Sequence, residues 1–238
     1  MKKRRYLGLI VCLMMAFVLL LGMSACGSQE DEAADGAGEE AAMVGPELTQ
    51  EQWDGILWEI GDKELTKDYA EYVPDEGFAN AEIFGIDKDG DKGTAYVWLD
   101  TREYVVVKDS AYMMSGGAGE AIIKFTYGAE KPALDEVVWS ADGGEHDKWL
   151  EENFPADYLA KQKEYNAYNE DGTSAMNDLF AQQVEAEMGV PVAADDLLLE
   201  INVDNGTYTI DKVSESGEGE NYKFDTEEVE KGKLSDLQ

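Results

Sequence analysis

The sequence predicts an α+β fold: one antiparallel sheet of about four to six strands, with helices packed on one face. Alternating apolar residues recur in consecutive segments between 78 and 140, and short turn-rich connections separate them. This pattern is typical of an antiparallel meander. Helical periodicity follows between 146 and 188. Strands followed by helices favour the α+β class over an alternating parallel fold.

The first predicted element is a helix over 49–60. Thr49 can cap it, and Gln52 stands three residues later, as a capping box requires. Trp58 lies off its apolar stripe. That stripe consists of Trp53, Ile56, Leu57 and Ile60.

Four strands are predicted next, over 78–86, 94–108, 120–127 and 134–140. The segment 94–108 has the strongest strand pattern, because it is apolar or aromatic on both faces, which predicts a central strand. One face carries Tyr96, Trp98, Tyr104 and Val106, and the other carries Ala95, Val97, Leu99, Val105 and Val107. A bulge or bend is expected where polar residues interrupt this pattern, at Asp100, Arg102 and Glu103.

Three helices and a hairpin complete the predicted domain. The helices cover 146–153, 156–168 and 174–188, the last capped by Ser174 and ended by Gly189 and Pro191. Two short strand patterns, 197–203 and 207–213, flank Asn205-Gly206, which is a strong hairpin signal.

The first 26 residues have the pattern of an export signal. A basic start, Lys2 to Arg5, precedes an apolar run from Leu7 to Leu21 and then the small-residue stretch Gly22-Met23-Ser24-Ala25-Cys26. A cysteine at this place resembles the lipobox of bacterial lipoproteins, although Met23 stands where leucine is more usual. The resemblance implies that Cys26 is acylated, with palmitate among the chains, and becomes the new N-terminus. An uncleaved anchor helix and an ordinary secretory signal remain the alternatives.

These patterns divide the chain into four parts. Residues 1–25 are a lipoprotein signal peptide, and 26–47 are the lipidated cysteine with an acidic tether that lacks apolar periodicity and is expected to be disordered. Residues 48–213 form one extracytoplasmic domain, and 214–238 form a loose acidic tail. The expected location is the outer face of the cell membrane, held by lipid.

Charge and cysteine content restrict the partners. The formal net charge is −33, and removing residues 1–25 removes four of the 19 basic residues while leaving all 52 acidic ones. Nucleic acid and anionic lipid headgroups are therefore excluded as partners by repulsion. Only Cys12 and Cys26 occur, so a mature chain has no disulfide. The expected partners are the membrane, through the N-terminal lipid, and an envelope protein or a peptidoglycan or carbohydrate ligand.

Four stretches between 48 and 165 resemble a known module. They are Ala81-Glu82-Ile83-Phe84-Gly85; Tyr96-Val97-Trp98-Leu99 continuing to Glu103-Tyr104; Ser115-Gly116-Gly117 before Ile122-Ile123-Lys124-Phe125; and Asp142-Gly143-Gly144 leading to Asn153-Phe154-Pro155. Together they resemble a small extracytoplasmic module of Gram-positive bacteria. That module is found at the C-terminal end of membrane peptidases similar to beta-lactam sensors, and in free-standing lipoproteins. The chain lacks the His-Glu-x-x-His of those peptidases, so the resemblance implies location but no peptidase activity.

Two motifs suggest ion or phosphate binding, and each has a simpler interpretation. Asp87, Asp89 and Asp91 resemble the start of a calcium loop, but Lys92 and Trp98 stand where the loop needs Gly and Glu, which favours a polar turn. The glycine-rich stretch 115–119 precedes a strand rather than a helix, which favours a flexible hairpin connection over a phosphate loop. No metal or cofactor is expected.

His146 is the only histidine, and carboxylates flank it. Such a residue can act as a general base. However, no serine or cysteine nucleophile stands in a recognisable motif, so a surface histidine at a helix start is the better interpretation. No catalytic residue is predicted.

Aromatic residues are the remaining candidates for binding. Rows of aromatic side chains on a sheet can stack on sugars or hold a peptide, although they more often form the core beneath a helix. The candidate binding residues are Trp98, Tyr104, Trp139 and Trp149. The function that the sequence favours is a lipid-anchored binding or sensing module of the envelope. An envelope hydrolase using His146 and a structural accessory of a membrane complex are the alternatives.

Overall fold

The computed structural model describes residues 43–65, 68–128, 131–165, 176–216 and 223–237. The predicted signal peptide, Cys26 and the predicted cap Ser174 lie outside these ranges. Strand β1 (Met43–Gly45) pairs antiparallel with β2 (Leu48–Thr49), which leads into helix α1 (Gln50–Glu64). The predicted tether boundary at residue 47 is therefore wrong, because β1 already belongs to the fold.

The capping box at the start of α1 is confirmed. The Thr49 hydroxyl accepts a hydrogen bond from the Gln52 backbone N–H at 3.3 Å, and the Gln52 side chain accepts one from the Thr49 N–H at 3.0 Å. Each bond satisfies a donor that the first turn leaves unpaired.

The main sheet is the predicted antiparallel meander. Its four strands lie in chain order: β3 (Asp75–Asp89), β4 (Lys92–Val107), β5 (Ser110–Thr126) and β6 (Ala133–Trp139). Gly90 and Asp91 alone connect β3 to β4, and Gly90 has a φ of +62°. The observed turn is thus shorter than the one predicted over 87–93. Strand β4 is central, as its two-sided pattern predicts.

The glycine-rich stretch 115–119 is not a hairpin connection, and that prediction is wrong. It lies inside β5 and pairs with β4 from Glu103 to Leu99. Lys108 and Asp109 make the actual turn. A bulge occurs next to the polar residues as expected, but it lies in β5 rather than in β4. Glu103 pairs with Ser115 and Tyr104 pairs with Met113, so the extra residue is in β5.

Helices cover both faces of the main sheet, so the prediction of helices on one face is wrong. The three later helices are α2 (His146–Asn153), α3 (Ala156–Glu164) and α4 (Asn177–Met188). Apolar residues of α1 pack with Val97 and Leu99 of β4. On the opposite face, α2 and α3 pack around Phe84 and Tyr96, and α4 packs around Tyr104. This arrangement follows from the two apolar faces of β4, since each needs its own cover.

A second antiparallel sheet contains β7 (Leu197–Asn202), β8 (Thr207–Ser216) and β9 (Lys223–Lys233). The predicted hairpin between β7 and β8 is confirmed. The predicted loose tail is wrong, because β9 pairs along β8 and Leu234 is buried in the cluster that joins the two sheets. The chain is thus α+β as predicted, with two main antiparallel sheets rather than one.

Candidate ligand-binding cleft

The buried carboxylate of Glu120 lies beneath a cleft between α2 and α3. Glu120 stands on β5, just before the section that pairs with β6, and only 4% of its surface is exposed. One carboxylate oxygen contacts His146 Nε2 at 2.9 Å, and the other accepts a hydrogen bond from Gln162 Nε2 at 2.6 Å. A buried carboxylate needs such partners, because an unpaired one is costly.

The local structure explains how these groups meet. His146 is the first residue of α2, and Gln162 lies in the last turns of α3. Phe154 and Pro155 separate the two helices, and the buried Phe154 packs with Leu150 against the sheet. The polar ends of both helices are thereby placed over the same point of β5.

Both ring nitrogens of His146 face carboxylates. Nδ1 lies 3.5 Å from Oδ1 of Asp147, which is exposed. The hydrogen bond to Glu120 raises the pKa of His146 above its ordinary value, with Asp147 adding to the shift and partial burial opposing it. The protonated imidazole is therefore the stabilised form, and a neutral ring with a free lone pair is less populated than in a histidine without these partners.

The cleft has a volume of about 330 Å³. This lies near the lower end of the range for small-molecule sites, ~300–1,000 Å³. Its walls combine charged, amide, phenol and aliphatic groups. The lining residues are His146, Asp147, Leu150, Glu151, Leu159, Gln162, Lys163 and Tyr165. These groups can contact a ligand through hydrogen bonds and charge.

A second depression of about 500 Å³ lies over the ends of β4, β5 and β6. Its lysines are already paired: Lys92 with Asp135 at 3.1 Å, and Lys124 with Glu136 at 2.7 Å. These exposed pairs stabilise little. The depression gathers no buried polar group, which makes it the weaker candidate.

The four predicted aromatic residues do not share one surface. Tyr104 is 2% exposed and lies in the core under α4, so its assignment to a binding face is wrong. Trp98 and Trp149 are partly buried in the aromatic cluster that α2 and α3 form with the sheet, whereas Trp139 packs on the α1 side. The tryptophan most exposed to solvent is Trp58, at 60%, which the sequence pattern placed off the apolar stripe of α1.

Of the three aspartates, only Asp91 lies in the turn, because β3 extends through Asp87 and Asp89. Asp87 accepts a hydrogen bond from the Tyr158 hydroxyl at 2.8 Å, so its carboxylate is engaged with α3. Within the described ranges, no group of three or more metal-ligating side chains is assembled. None of the helices described there is long and apolar enough to cross a bilayer.

Sequence reasoning singled out His146 but neither Glu120, which contacts it, nor Gln162, which bonds to the same Glu120 carboxylate. Glu120 is 26 residues away and Gln162 is 16 residues away in the opposite direction, so no local spacing connects them. Comparison with family models, with curated proteins and with solved structures finds no match.

Proposed function

We propose that this chain is a lipid-anchored, extracytoplasmic binding or sensing module of the cell envelope, and that the cleft beside His146 is its ligand site. The observation that carries the proposal is the buried Glu120 carboxylate, which holds His146 and Gln162 at the mouth of a cleft. A rigid polar set of this kind suits recognition of a small polar ligand. The class we favour is a peptidoglycan fragment or a carbohydrate, which offers hydroxyl and amide groups.

The hydrolase alternative has one observation in its favour, the 2.9 Å contact between His146 and Glu120. A general base must have a free lone pair near the proton that it takes. Here Glu120 and Asp147 both face the ring, and both favour its protonated state. Binding therefore fits the cleft better than hydrolysis.

The ligand site is tested by nuclear magnetic resonance on the only histidine of the chain. A soluble muropeptide and N-acetylglucosamine, added separately, should give saturable shifts of the His146 ring signals. Trp58→Ala serves as the matched control, because Trp58 is exposed on α1, across the sheet from the cleft. If neither probe moves the His146 signals, the cleft is not a site for this ligand class.

The anchor is tested independently through Cys26. The signal pattern and the small residues before Cys26 support lipidation. We expect Cys26→Ala to move the protein from the detergent phase to the aqueous phase while its circular dichroism spectrum stays unchanged. Continued partitioning of the variant with detergent would contradict the lipoprotein proposal.

A further inference from the structure

The edge of β5 that faces away from β4 carries partners at both ends but none in its middle. At one end Ala111 bonds to Pro191 and Ala193, with the Ala111 N–H and C=O both pointing outward. At the other end β6 pairs with residues 121–126, and the Glu120 carbonyl accepts a last bond from the Ser140 N–H. Among the residues described, no strand pairs with this edge from Met113 to Gly119.

The direction of the backbone N–H and C=O groups along this free edge follows from the alternation of the strand. The Glu120 carbonyl points outward, and the Gly117 carbonyl points towards β4, where Thr101 donates to it at 3.2 Å. Because successive residues of an antiparallel strand alternate in direction, Gly116 and Ala118 turn their N–H and C=O groups outward. They form a short row of donors and acceptors with the spacing of a strand.

The side chains leave this edge accessible. Residues 115–118 are exposed, and three of the residues from 116 to 119 are glycines. A Cβ added at Gly117 or Gly119 would meet nothing closer than a hydroxyl oxygen at 4.0 Å. The faces beside the edge are therefore open at these positions, and the small residues let a neighbouring backbone approach closely.

The charges around this gap indicate that its partner carries basic residues. Asp142 follows the last β6 bond by two residues, and Asp195 follows Ala193 by two residues, so exposed carboxylates lie near both ends of the gap. Two neighbouring cations are already engaged: Arg102, which lies opposite Gly116, bonds to Asp100 at 2.8 Å, and His146 bonds to Glu120. The chain as a whole carries a formal charge of −33.

We propose that the β5 edge from Met113 to Gly119 binds an extended peptide segment with basic residues near its ends as an added strand. Recognition of this kind takes its affinity from main-chain hydrogen bonds and its selectivity from the flanking side chains. The gap spans about 23 Å at ~3.3 Å per residue, which is a typical strand length. The site does not depend on the His146 cleft or on its ligand.

The test uses two end-blocked synthetic peptides, Lys-Val-Thr-Val-Thr-Val-Lys and its counterpart with both lysines replaced by glutamate. We expect the lysine peptide to bind and the glutamate peptide to bind much more weakly. In the wild-type protein, amide hydrogen exchange should slow at Gly116 and Ala118 on binding, and should stay unchanged at Gly117, whose N–H points to β4. Equal binding of both peptides, or protection without this alternation, would overturn the proposal.

Ala118→Pro removes one outward N–H while leaving the pairing with β4 in place, since proline is tolerated at a free edge. Losing an edge bond should weaken binding of the lysine peptide by about five- to tenfold. Ala118→Val is the control, because it keeps the N–H and should bind as the wild type does. Unchanged affinity of a folded Ala118→Pro variant would count against the edge, and if that variant does not fold, the exchange pattern of the wild type decides. The muropeptide shifts of His146 should be the same in both variants, so the two proposals can fail separately.

Discussion

The two faces of the main sheet are covered in different ways. Directly beneath α1 the contacts are almost entirely apolar, and Trp53, Ile56 and Ile60 are at most 2% exposed. On the opposite face, aromatic packing is interrupted by directional polar links, two of them at α4 and one at α2 and α3. These links are the Asn80–Gln183 amide pair, the Asp100–Arg102 ion pair whose guanidinium lies 4.2 Å from the Phe180 ring centroid, and the Glu120–His146–Gln162 cluster.

This difference indicates how the helices on each face are held in place. Apolar burial is non-directional and grows with area, so α1 is held by contact surface. Hydrogen bonds between buried polar groups contribute little net energy but are costly to leave unmade. They fix the positions of α2, α3 and α4, and the candidate cleft lies on their side of the sheet.

The largest expected effect is on the apolar face. Trp53→Ala should lower the free energy of unfolding by about 3–5 kcal/mol, because it empties a large buried site. Trp58→Ala, on the exposed side of the same helix, should cost no more than about 1 kcal/mol, mainly its cation–π contact with Lys131. Urea denaturation of both variants measures the difference. Similar costs for the two would mean that α1 is not held by its buried stripe.

An intermediate effect is expected at the amide pair that joins α4 to β3. Gln183→Ala leaves the amide of Asn80 without its partner, and Asn80 is only 6% exposed. The cost should be about 1–3 kcal/mol.

A double-mutant cycle isolates this link. Replacing both Asn80 and Gln183 by alanine should cost less than the sum of the single changes, with a coupling of at least ~0.5 kcal/mol. Strict additivity would show that the amide pair does not position α4.

The smallest effect is a pH dependence at the cleft. The hydrogen bond to Glu120 raises the pKa of His146, so its contribution to stability is fully present below the ordinary histidine value of about 6.5. It is lost as pH rises through the higher pKa of the folded state. The melting temperature should therefore fall as pH increases over this window.

Glu120→Gln is the matched control for that pH dependence, because it keeps the shape of the side chain and removes its charge. The decline in melting temperature should flatten in this variant, and the titration of the single histidine should move to lower pH. Glu151 and Lys163 also line the cleft, so His146→Gln must flatten the same decline. If the melting temperature still falls with pH in both variants, groups other than His146 and Glu120 cause the decline.

Two features could be predicted from short stretches of sequence, the central place of β4 and the start of α1. The two apolar faces of β4 predicted its central place, and Thr49 with Gln52 predicted the start of α1, because each signal is complete within a few residues. Strand β9 was not predictable in this way. Its sequence, Lys-Phe-Asp-Thr-Glu-Glu-Val-Glu-Lys-Gly-Lys, is mostly exposed, and backbone pairing with β8 needs no apolar alternation.

The glycines of β5 led to the wrong prediction of a hairpin connection, because strand pairing again outweighed the local sequence signal. Glycine favours turns, but the pairing of residues 115–119 with β4 outweighs that local preference. The candidate cleft was only partly predictable. His146 was identified because it is the only histidine, whereas Glu120 and Gln162 reach it through tertiary structure alone.

The meander order of β3 to β6 also affects how the chain can reach its folded state. Each ladder of this sheet joins strands adjacent in sequence, and the β3–β4 turn uses only Gly90 and Asp91. The entropy lost in closing a short loop is small, and contacts between near neighbours favour fast folding. Pairing can proceed outward from each turn, so no ladder of the main sheet has to wait for a distant segment to arrive.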